Sequence, residues 1–210
     1  MVSLHQQYNN FIFNGTCRAG PGVVAAVTGY LAEKKCYICS LQQFDDESTD
    51  KFFMRAVFRP RASVADISEI KSDFGEVARN FKMEWKIHDP EIPVKTIIMV
   101  SKYDHCLDDI LYRLRKNEFN MEIHAVVSNH FDLRPMVERE GIRFVYLPIT
   151  LATKAQQEER LLELIYESKV ELIVLARYMQ ILSKNLSEKL SGRCINIHHS
   201  FLPGFKGASP

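Results

Sequence analysis

Residues 94–100 read VKTIIMV, a nearly continuous apolar run. A run without alternation is typical of a strand that is covered on both faces. Similar runs follow at 121–129, 142–148, 170–176 and 193–198, and a helix-like pattern separates each from the next. Strands that alternate with helices in this way predict a parallel, doubly wound sheet, in which ligands bind beyond the carboxyl ends of the strands.

The residues before this run follow a different order, which is strand, helix, strand, strand, helix, strand. The first strand is predicted at 8–14, and a helix over 23–33 would bury Val23, Val27, Tyr30 and Leu31 on one side. This βαββαβ order is the ferredoxin-like plan. The sequence therefore predicts an α/β protein with a ferredoxin-like domain at 1–90, a linker at 91–93 and a doubly wound domain at 94–210.

Two further helix starts are predicted from capping-box spacings, at 63–66 and at 153–156. In each case a Ser or Thr stands three residues before an Asp or Gln. A hydroxyl at this position can accept a hydrogen bond from the first turn of the helix.

The bulk composition excludes several classes of partner. The formal net charge is +1 and charged residues make up 25% of the chain, so nothing favours nucleic acid or an anionic membrane surface. No apolar run is long enough to span a bilayer, and the first residues lack a secretory signal pattern. Five cysteines suit reduced thiols. We expect a cytoplasmic protein without nucleic-acid or membrane partners.

Cys36 and Cys39 form a C-x-x-C pair, which could be a redox pair or half of a zinc site. The segment around them alternates like a strand, and the period of two places the two thiols on opposite faces. No second pair or spaced histidines complete a metal site in the sequence. We therefore expect no metal and two structural cysteines.

The last predicted strand ends in an unusual group of polar residues, Asn196, His198 and His199. Alternation places Asn196 and His198 on one face and His199 on the other. An amide can donate to an oxygen that becomes negative, and an imidazole can donate a hydrogen bond or a proton. The same side chains also occur as structural hydrogen-bonding groups at strand ends, so the residue types alone leave both readings open.

The motif around these residues resembles a known family. Asn196-Ile197-His198 followed by SFLPGFKG at 200–207 is similar to the signature of folate-dependent formyltransferases. The double histidine and VLARYMQILS at 174–183 resemble the formyltetrahydrofolate deformylases in particular, and the likeness extends over essentially the whole chain. The resemblance implies a hydrolase of a linear amide C–N bond that converts 10-formyltetrahydrofolate to formate and tetrahydrofolate for purine synthesis and one-carbon balance.

By the same resemblance, Asn196 would hold the formyl oxygen, and His198 would stabilise the tetrahedral intermediate and manage the proton on N10. The segment that would contact the pterin comprises Tyr178, Met179, Gln180, Ile181 and Leu182. No cofactor is implied, because the folate is the substrate. The third catalytic residue of the family is an Asp downstream of this strand. We expect it beyond Pro210, so that the doubly wound domain would be incomplete and the 210-residue chain alone would have little activity.

The resemblance further implies that residues 1–90 form an ACT domain, a regulatory module that binds an amino acid and pairs with a second copy. Gly20, Gly22 and Val23 are the candidate effector-binding residues, and a homo-oligomer is expected. The family turn usually carries an acidic residue where this chain has Ala19. That departure puts the contact to an effector ammonium group in doubt.

Three alternatives remain. A transferase to an amine such as glycinamide ribonucleotide would share the Asn and His, but a phosphate-bearing acceptor favours a glycine-rich loop after the first strand. Residues 101–106 contain no glycine and include Asp104, beside His105. The other two alternatives are a non-enzymatic amino-acid sensor and a dinucleotide-binding enzyme. The dinucleotide-binding enzyme lacks support, because no G-x-G-x-x-G follows a predicted strand.

Overall fold

The computed structural model describes residues 9–61, 67–150 and 152–197 of the chain. It divides into two compact units, Met1–Ile92 and Pro93–Pro210. Within the described residues, no helix is both long enough and apolar enough to cross a membrane.

The first unit is a four-stranded antiparallel sheet with two helices. The strands lie in the order β2-β3-β1-β4, and their chain order is the predicted βαββαβ. The elements are β1 (Phe11–Arg18), α1 (Val23–Glu33), β2 (Cys36–Asp46), β3 (Lys51–Pro60), α2 (Ile67–Asn80) and β4 (Glu84–His88).

The core of the first unit lies between one face of this sheet and the two helices. The buried residues of α1 are the four that the pattern predicted. Phe74 of α2 is at the centre, with its ring centroid 5.0 Å from that of Phe13, 5.3 Å from that of Tyr30 and 4.8 Å from that of Trp85. The buried Tyr30 hydroxyl donates to the carbonyl oxygen of Ile70 at 2.8 Å. This hydrogen bond joins α1 to α2.

The opposite face of the first sheet, which we call the open face, is not packed against either helix. Side chains of all four strands line a groove of about 530 Å³ there. Two aromatic residues, Phe44 and Phe53, pair across β2 and β3 with ring centroids 6.4 Å apart and are 65% and 40% exposed. An antiparallel sheet with helices on one side only leaves such a face to solvent or to a partner.

The second unit is a parallel sheet in the order β7-β6-β5-β8-β9. Its elements are β5 (Val94–Val100), α3 (His105–Arg115), β6 (Met121–Ser128), α4 (Arg134–Arg139), β7 (Phe144–Tyr146), α5 (Lys154–Glu167), β8 (Leu172–Leu175), α6 (Lys184–Lys189) and β9 (Cys194–Asn196). The order of pairing reverses between β5 and β8, which is the switch point of a doubly wound sheet.

Both faces of this sheet carry a core. Alternate residues of β5, such as Ile97 and Met99, pack with α5 and α6 on one side. Ile98 and Val100 pack with α3 and α4 on the other. The apolar run at 94–100 lacks alternation because its residues 96–100 are buried on both faces of the sheet.

Some boundaries differ from the sequence pattern. The first strand begins at Phe11 and continues to Arg18, because β3 pairs with it along its full length. The predicted capping box at 153–156 is wrong, since the Thr153 hydroxyl bonds to the backbone N–H and hydroxyl of Thr150 and caps no amide of α5. The corresponding prediction at 63–66 lies outside the described residues.

Candidate functional site

The carboxyl ends of β5, β6, β8 and β9 lie at one edge of the second sheet because all four strands run parallel. We call it the carboxyl edge. The loops after β5 and β8 flank the switch point, which is where ligands bind in sheets of this type. The predicted folate segment follows β8 and Asn196 ends β9, so the topology brings both to this edge.

A buried hydroxyl joins three loops at the carboxyl edge. Ser101, after β5, donates from Oγ to Oδ1 of Asn129 at 2.8 Å, and both residues are buried. The same Oγ accepts a hydrogen bond from the backbone N–H of Met179 at 3.1 Å. The first residues of the predicted folate segment are therefore fixed relative to β5 and β6. Sequence reasoning missed Ser101 and Asn129, since single polar residues after strands carry no motif.

Helix α5 holds the 178–183 segment through three side chains on one of its faces. Gln157 donates from Nε2 to the hydroxyl oxygen of Tyr178 at 3.1 Å. The Glu158 carboxylate accepts from the backbone N–H of Ser183 at 2.8 Å and from the Ser183 hydroxyl. Lys154 donates from Nζ to the carbonyl oxygen of Ile181 at 2.6 Å.

We call Lys154, Gln157 and Glu158 the clamp. Gln157 and Glu158 are buried, with only 6% and 7% of their surface exposed. Burial of an amide and a carboxylate is costly unless their hydrogen bonds are made, and both make theirs to the same short segment. The clamp therefore fixes the backbone of residues 178–183 to the helix beneath it. The sequence pattern did not reveal it, because 157 and 158 fall in register with the apolar stripe of α5.

The side chains of the predicted folate segment differ in accessibility. Tyr178 is buried in the core under the segment, and burial raises the pKa of its hydroxyl to about 12. Leu182 packs against the same core, while Met179 and Gln180 are half-buried. Ile181 is 62% exposed. The segment thus offers to a ligand mainly Met179, Gln180 and Ile181 together with its backbone.

Asn196 is the last residue of β9, and its register partner on β8 is Leu175. The backbone N–H of Ile197 continues the ladder by donating to the carbonyl oxygen of Leu175 at 3.2 Å. β9 lies at the edge of the described sheet, so that Ile195 and Ile197 are 56% and 48% exposed. His198 lies outside the described residues.

Arg177 is a further residue at this edge that sequence reasoning did not single out. Its guanidinium lies over the ring of Tyr103, 5.1 Å from the ring centroid, and so connects the loops after β8 and β5. Asp104, the N-cap of α3, and His105, its first residue, are both exposed.

The candidate effector residues lie at the start of α1. Gly22 is its N-cap, with φ of 86°, a left-handed conformation that favours glycine. The Val23 side chain is 2% exposed and belongs to the core, so it could contact an effector only through its backbone. An effector role for Gly20, Gly22 and Val23 stays a prediction.

The two cysteines of the C-x-x-C pair lie in different environments. Cys36 packs partly into the core of the first unit, Cys39 is exposed, and all five cysteines are free thiols. A β-bulge separates Ile38 from Ser40, so that Cys39 lies at the irregularity. Within the described parts of the chain, no three His, Cys, Asp or Glu side chains are grouped closely enough to hold a metal ion.

Known proteins resemble both the second unit and the chain as a whole. The Formyl transferase family matches residues 94–210, which is the whole parallel unit. A formyltetrahydrofolate deformylase of Corynebacterium sp. (strain P-1) is 45% identical over 194 residues, covering 92% of this chain and 68% of that protein. The chain belongs to the formyltetrahydrofolate deformylase family.

Solved structures agree with the family assignment. A deformylase from Burkholderia mallei superimposes with a TM-score of 0.85 at 45% identity, over 95% of this chain and 70% of that one. A phosphoribosylglycinamide formyltransferase from Coxiella burnetii gives 0.50 at 29% identity, over 55% and 56% of the two chains. The deformylase-family likeness therefore spans both units. The chain spans about two thirds of the length of the curated relatives it matches.

Proposed function

We propose that this protein hydrolyses 10-formyltetrahydrofolate to formate and tetrahydrofolate in the cytoplasm. The observation that carries the proposal is the position of Asn196 at the carboxyl edge of a deformylase-family chain. Its register partner Leu175 is only three residues before the clamped 178–183 segment. A hydrogen-bond donor and a fixed, partly apolar segment thus lie at the same edge, as hydrolysis of a formyl group on a flat heterocycle requires.

The chemistry balances with water as the only co-reactant. Water adds to the formyl carbon, and the carbonyl oxygen becomes negative while Asn196 donates a hydrogen bond to it. The bond between carbon and N10 then breaks, N10 takes the proton that the attacking water gives up, and the product leaves as formate after its acid proton passes to solvent. His198 would hold or deliver that proton. The heterocycle would lie against Met179, Gln180 and Ile181, which are accessible on the clamped segment.

The direct test measures formate release from 10-formyltetrahydrofolate by the full-length protein, with no amine present. We expect formate and tetrahydrofolate in equal amounts, without a lag and without any acceptor. Turnover that depends on an added amine would reject hydrolysis.

Transfer to an amine is the competing enzymatic function, because a glycinamide ribonucleotide enzyme shares the fold of the second unit. Helix α3 begins after a loop without glycine, and it carries Asp104 at the N-cap and Asp108 in the first turn. Two carboxylates at a helix N-terminus oppose a phosphate group at the place where one would otherwise bind. Water as the acceptor therefore fits this edge better.

The first unit is proposed to be an ACT-type regulatory domain that binds an amino-acid effector near Gly20 and Gly22. Its βαββαβ topology supports the assignment. Calorimetric titration with the common amino acids, with and without folate, tests it. Binding of an amino acid together with an absence of any folate binding would instead favour a sensor without enzymatic activity.

Self-association through the open face is the last part of the proposal. Phe44 and Phe53 expose a joined aromatic surface there, and exposed apolar patches are typical of contact surfaces. Light scattering on the whole chain should show more than a monomer, and the double variant Phe44→Ser, Phe53→Ser should reduce the mass. A wild-type monomer at high concentration would exclude this role.

A further inference from the structure

The backbone of Arg177 has an unusual conformation for its position. Six non-glycine residues in the described structure have positive φ. Four of them, Lys35, Lys82, Asn117 and Lys169, directly follow a helix, where left-handed residues are common, and Asp50 is in the β2–β3 turn. Arg177, with φ of 60°, is the one that follows a buried strand. A side chain held in this conformation outside a cap or hairpin suggests a functional constraint.

The Arg177 side chain also contains an unsatisfied donor. Its Nε is the one buried side-chain nitrogen or oxygen atom without a hydrogen-bond partner among the described residues. A buried N–H is almost always paired, so this group is suited to an oxygen acceptor that comes from outside the described chain. The contact with Tyr103 holds the guanidinium carbon over the ring, and the ring accepts no conventional hydrogen bond from it, so the N–H groups remain the donors for such an acceptor.

The position of the guanidinium identifies the acceptor. Arg177 follows β8 and Tyr103 follows β5, and these two neighbouring strands form the switch point. Asn196 is the register partner of Leu175, two residues before Arg177. The guanidinium and the Asn196 amide therefore both lie at the edge where the formyl group would react.

We propose that Arg177 binds the oxygen of the one-carbon unit, first as negative charge develops on it and then in the formate product. The inference rests on the proposed hydrolysis, which turns a neutral formamide into a carboxylate. A guanidinium is well suited to that change, because its planar set of donors matches a carboxylate and its charge favours the anion over the neutral group. Tyr103 is a positioning residue for the guanidinium.

Arg193 supplies a matched control. Its guanidinium also lies over an aromatic ring, that of Tyr166, at 5.6 Å from the centroid. It stands immediately before β9, however, and so at the amino end of the strand that carries Asn196 at its carboxyl end. Loss of an arginine–aromatic contact as such should affect both sites equally, whereas loss of the proposed ligand contact should affect Arg177 alone.

The test compares wild type with Arg177→Gln, Arg177→Lys and Arg193→Gln in the whole protein. Arg177→Gln should lower kcat by about tenfold or more and should weaken product inhibition by sodium formate by a similar factor. Arg177→Lys should retain part of the turnover and part of the product inhibition, because lysine keeps the charge but lacks the planar set of donors. Arg193→Gln should change neither. Values for Arg177→Gln within twofold of wild type, or equal losses in Arg193→Gln, would overturn the inference.

A second measurement separates this inference from the proposed function. Sodium formate should raise the melting temperature of wild type but not of Arg177→Gln, with sodium chloride at equal ionic strength as the reference. A wild-type protein that releases no formate would reject the hydrolysis. Equal formate shifts in the two proteins, or none in either, would reject the Arg177 site whatever the outcome of the activity assay.

Discussion

The two units of this protein use their sheets in opposite ways. The first has helices on one face and leaves the other face open, with aromatic side chains exposed on it. The second is covered on both faces, so that its carboxyl edge is the part of the sheet left for polar side chains. The comparison shows how topology assigns roles. An antiparallel sheet with one free face is suited to contacts with a partner, and a fully covered parallel sheet concentrates its chemistry at one edge.

The covered face of the first sheet can be distinguished from the open face by mutation. Phe74→Ala removes a ring that contacts three other aromatic residues in the core, and we expect it to lower the free energy of unfolding by about 3–5 kcal/mol. Phe53→Ala on the open face should change it by about 1 kcal/mol or less under conditions where the chain is monomeric. Chemical denaturation measures both. Similar losses in the two variants would mean that the open face is packed.

A substitution at the carboxyl edge should lower activity without changing stability. Asn196→Ala is expected to reduce turnover by about a hundredfold or more, as for the loss of an oxyanion donor, which corresponds to about 2.7–4 kcal/mol. Because Asn196 is exposed, the melting temperature should stay unchanged. The control is Asn185→Ala, an exposed asparagine in α6. An Asn196 effect of only a few-fold would remove this residue from the proposed role.

The clamp below the edge predicts a dependence of stability on high pH. Burial raises the pKa of the Tyr178 hydroxyl from its ordinary value near 10 to about 12. The folded state favours the neutral hydroxyl. The stabilisation that results, roughly 2–3 kcal/mol of unfolding free energy, is therefore fully present below pH 10 and is lost as the pH rises to 12. Tyr178→Phe should show a correspondingly smaller fall in unfolding free energy over this window. Tyr112→Phe, which alters an exposed ring, should behave like wild type, and an unchanged slope in Tyr178→Phe would contradict the assignment.

The smallest expected effect concerns Lys154. Its bond to the Ile181 carbonyl oxygen is at the surface, so Lys154→Ala should cost at most about 1 kcal/mol of global stability. If the 178–183 segment binds folate, the same variant should raise KM a few-fold and leave kcat unchanged, because it loosens the segment without touching the reacting atoms. Lys184→Ala, a nearby exposed lysine, is the control. A fall in kcat with constant KM would argue against a role for the segment in binding.

The sequence predicted the elements best where local pattern and burial agree. The predicted bounds of α1 and β5 match the structure residue for residue, because the apolar stripe of α1 and most of the apolar run of β5 are in fact buried. Ile195 of β9 is apolar yet exposed, because burial depends on which neighbours a strand has in the sheet and not on its own residues alone. Thr153 shows the same limit for caps. Its spacing fits a capping box, but Thr150 competes for its hydroxyl.

Sequence reasoning singled out the candidate residues that stand in a motif. It missed those that are distant in the chain and meet only in the folded protein. Asn196 and the 178–182 segment stand out in the sequence by polar type or by resemblance. Ser101, Glu158 and Arg177 lie far apart in the chain, and only the fold brings them to one edge. The strain at Arg177 is also invisible in sequence, because positive φ is recognisable there only when glycine occupies the position.

The β-bulge in β2 has a practical consequence for experiments in solution. Cys39 lies at this bulge and is the one exposed residue among the five cysteines of the chain, all of which the structure describes. Burial raises the pKa of Cys17, Cys36 and Cys194, which slows their reaction with alkylating reagents. Cys106 is half-buried. A maleimide dye or a nitroxide spin label should therefore react faster with Cys39 than with the other four cysteines of the native protein, without any engineered cysteine. Distances between such labels would then report directly on how copies of the chain associate.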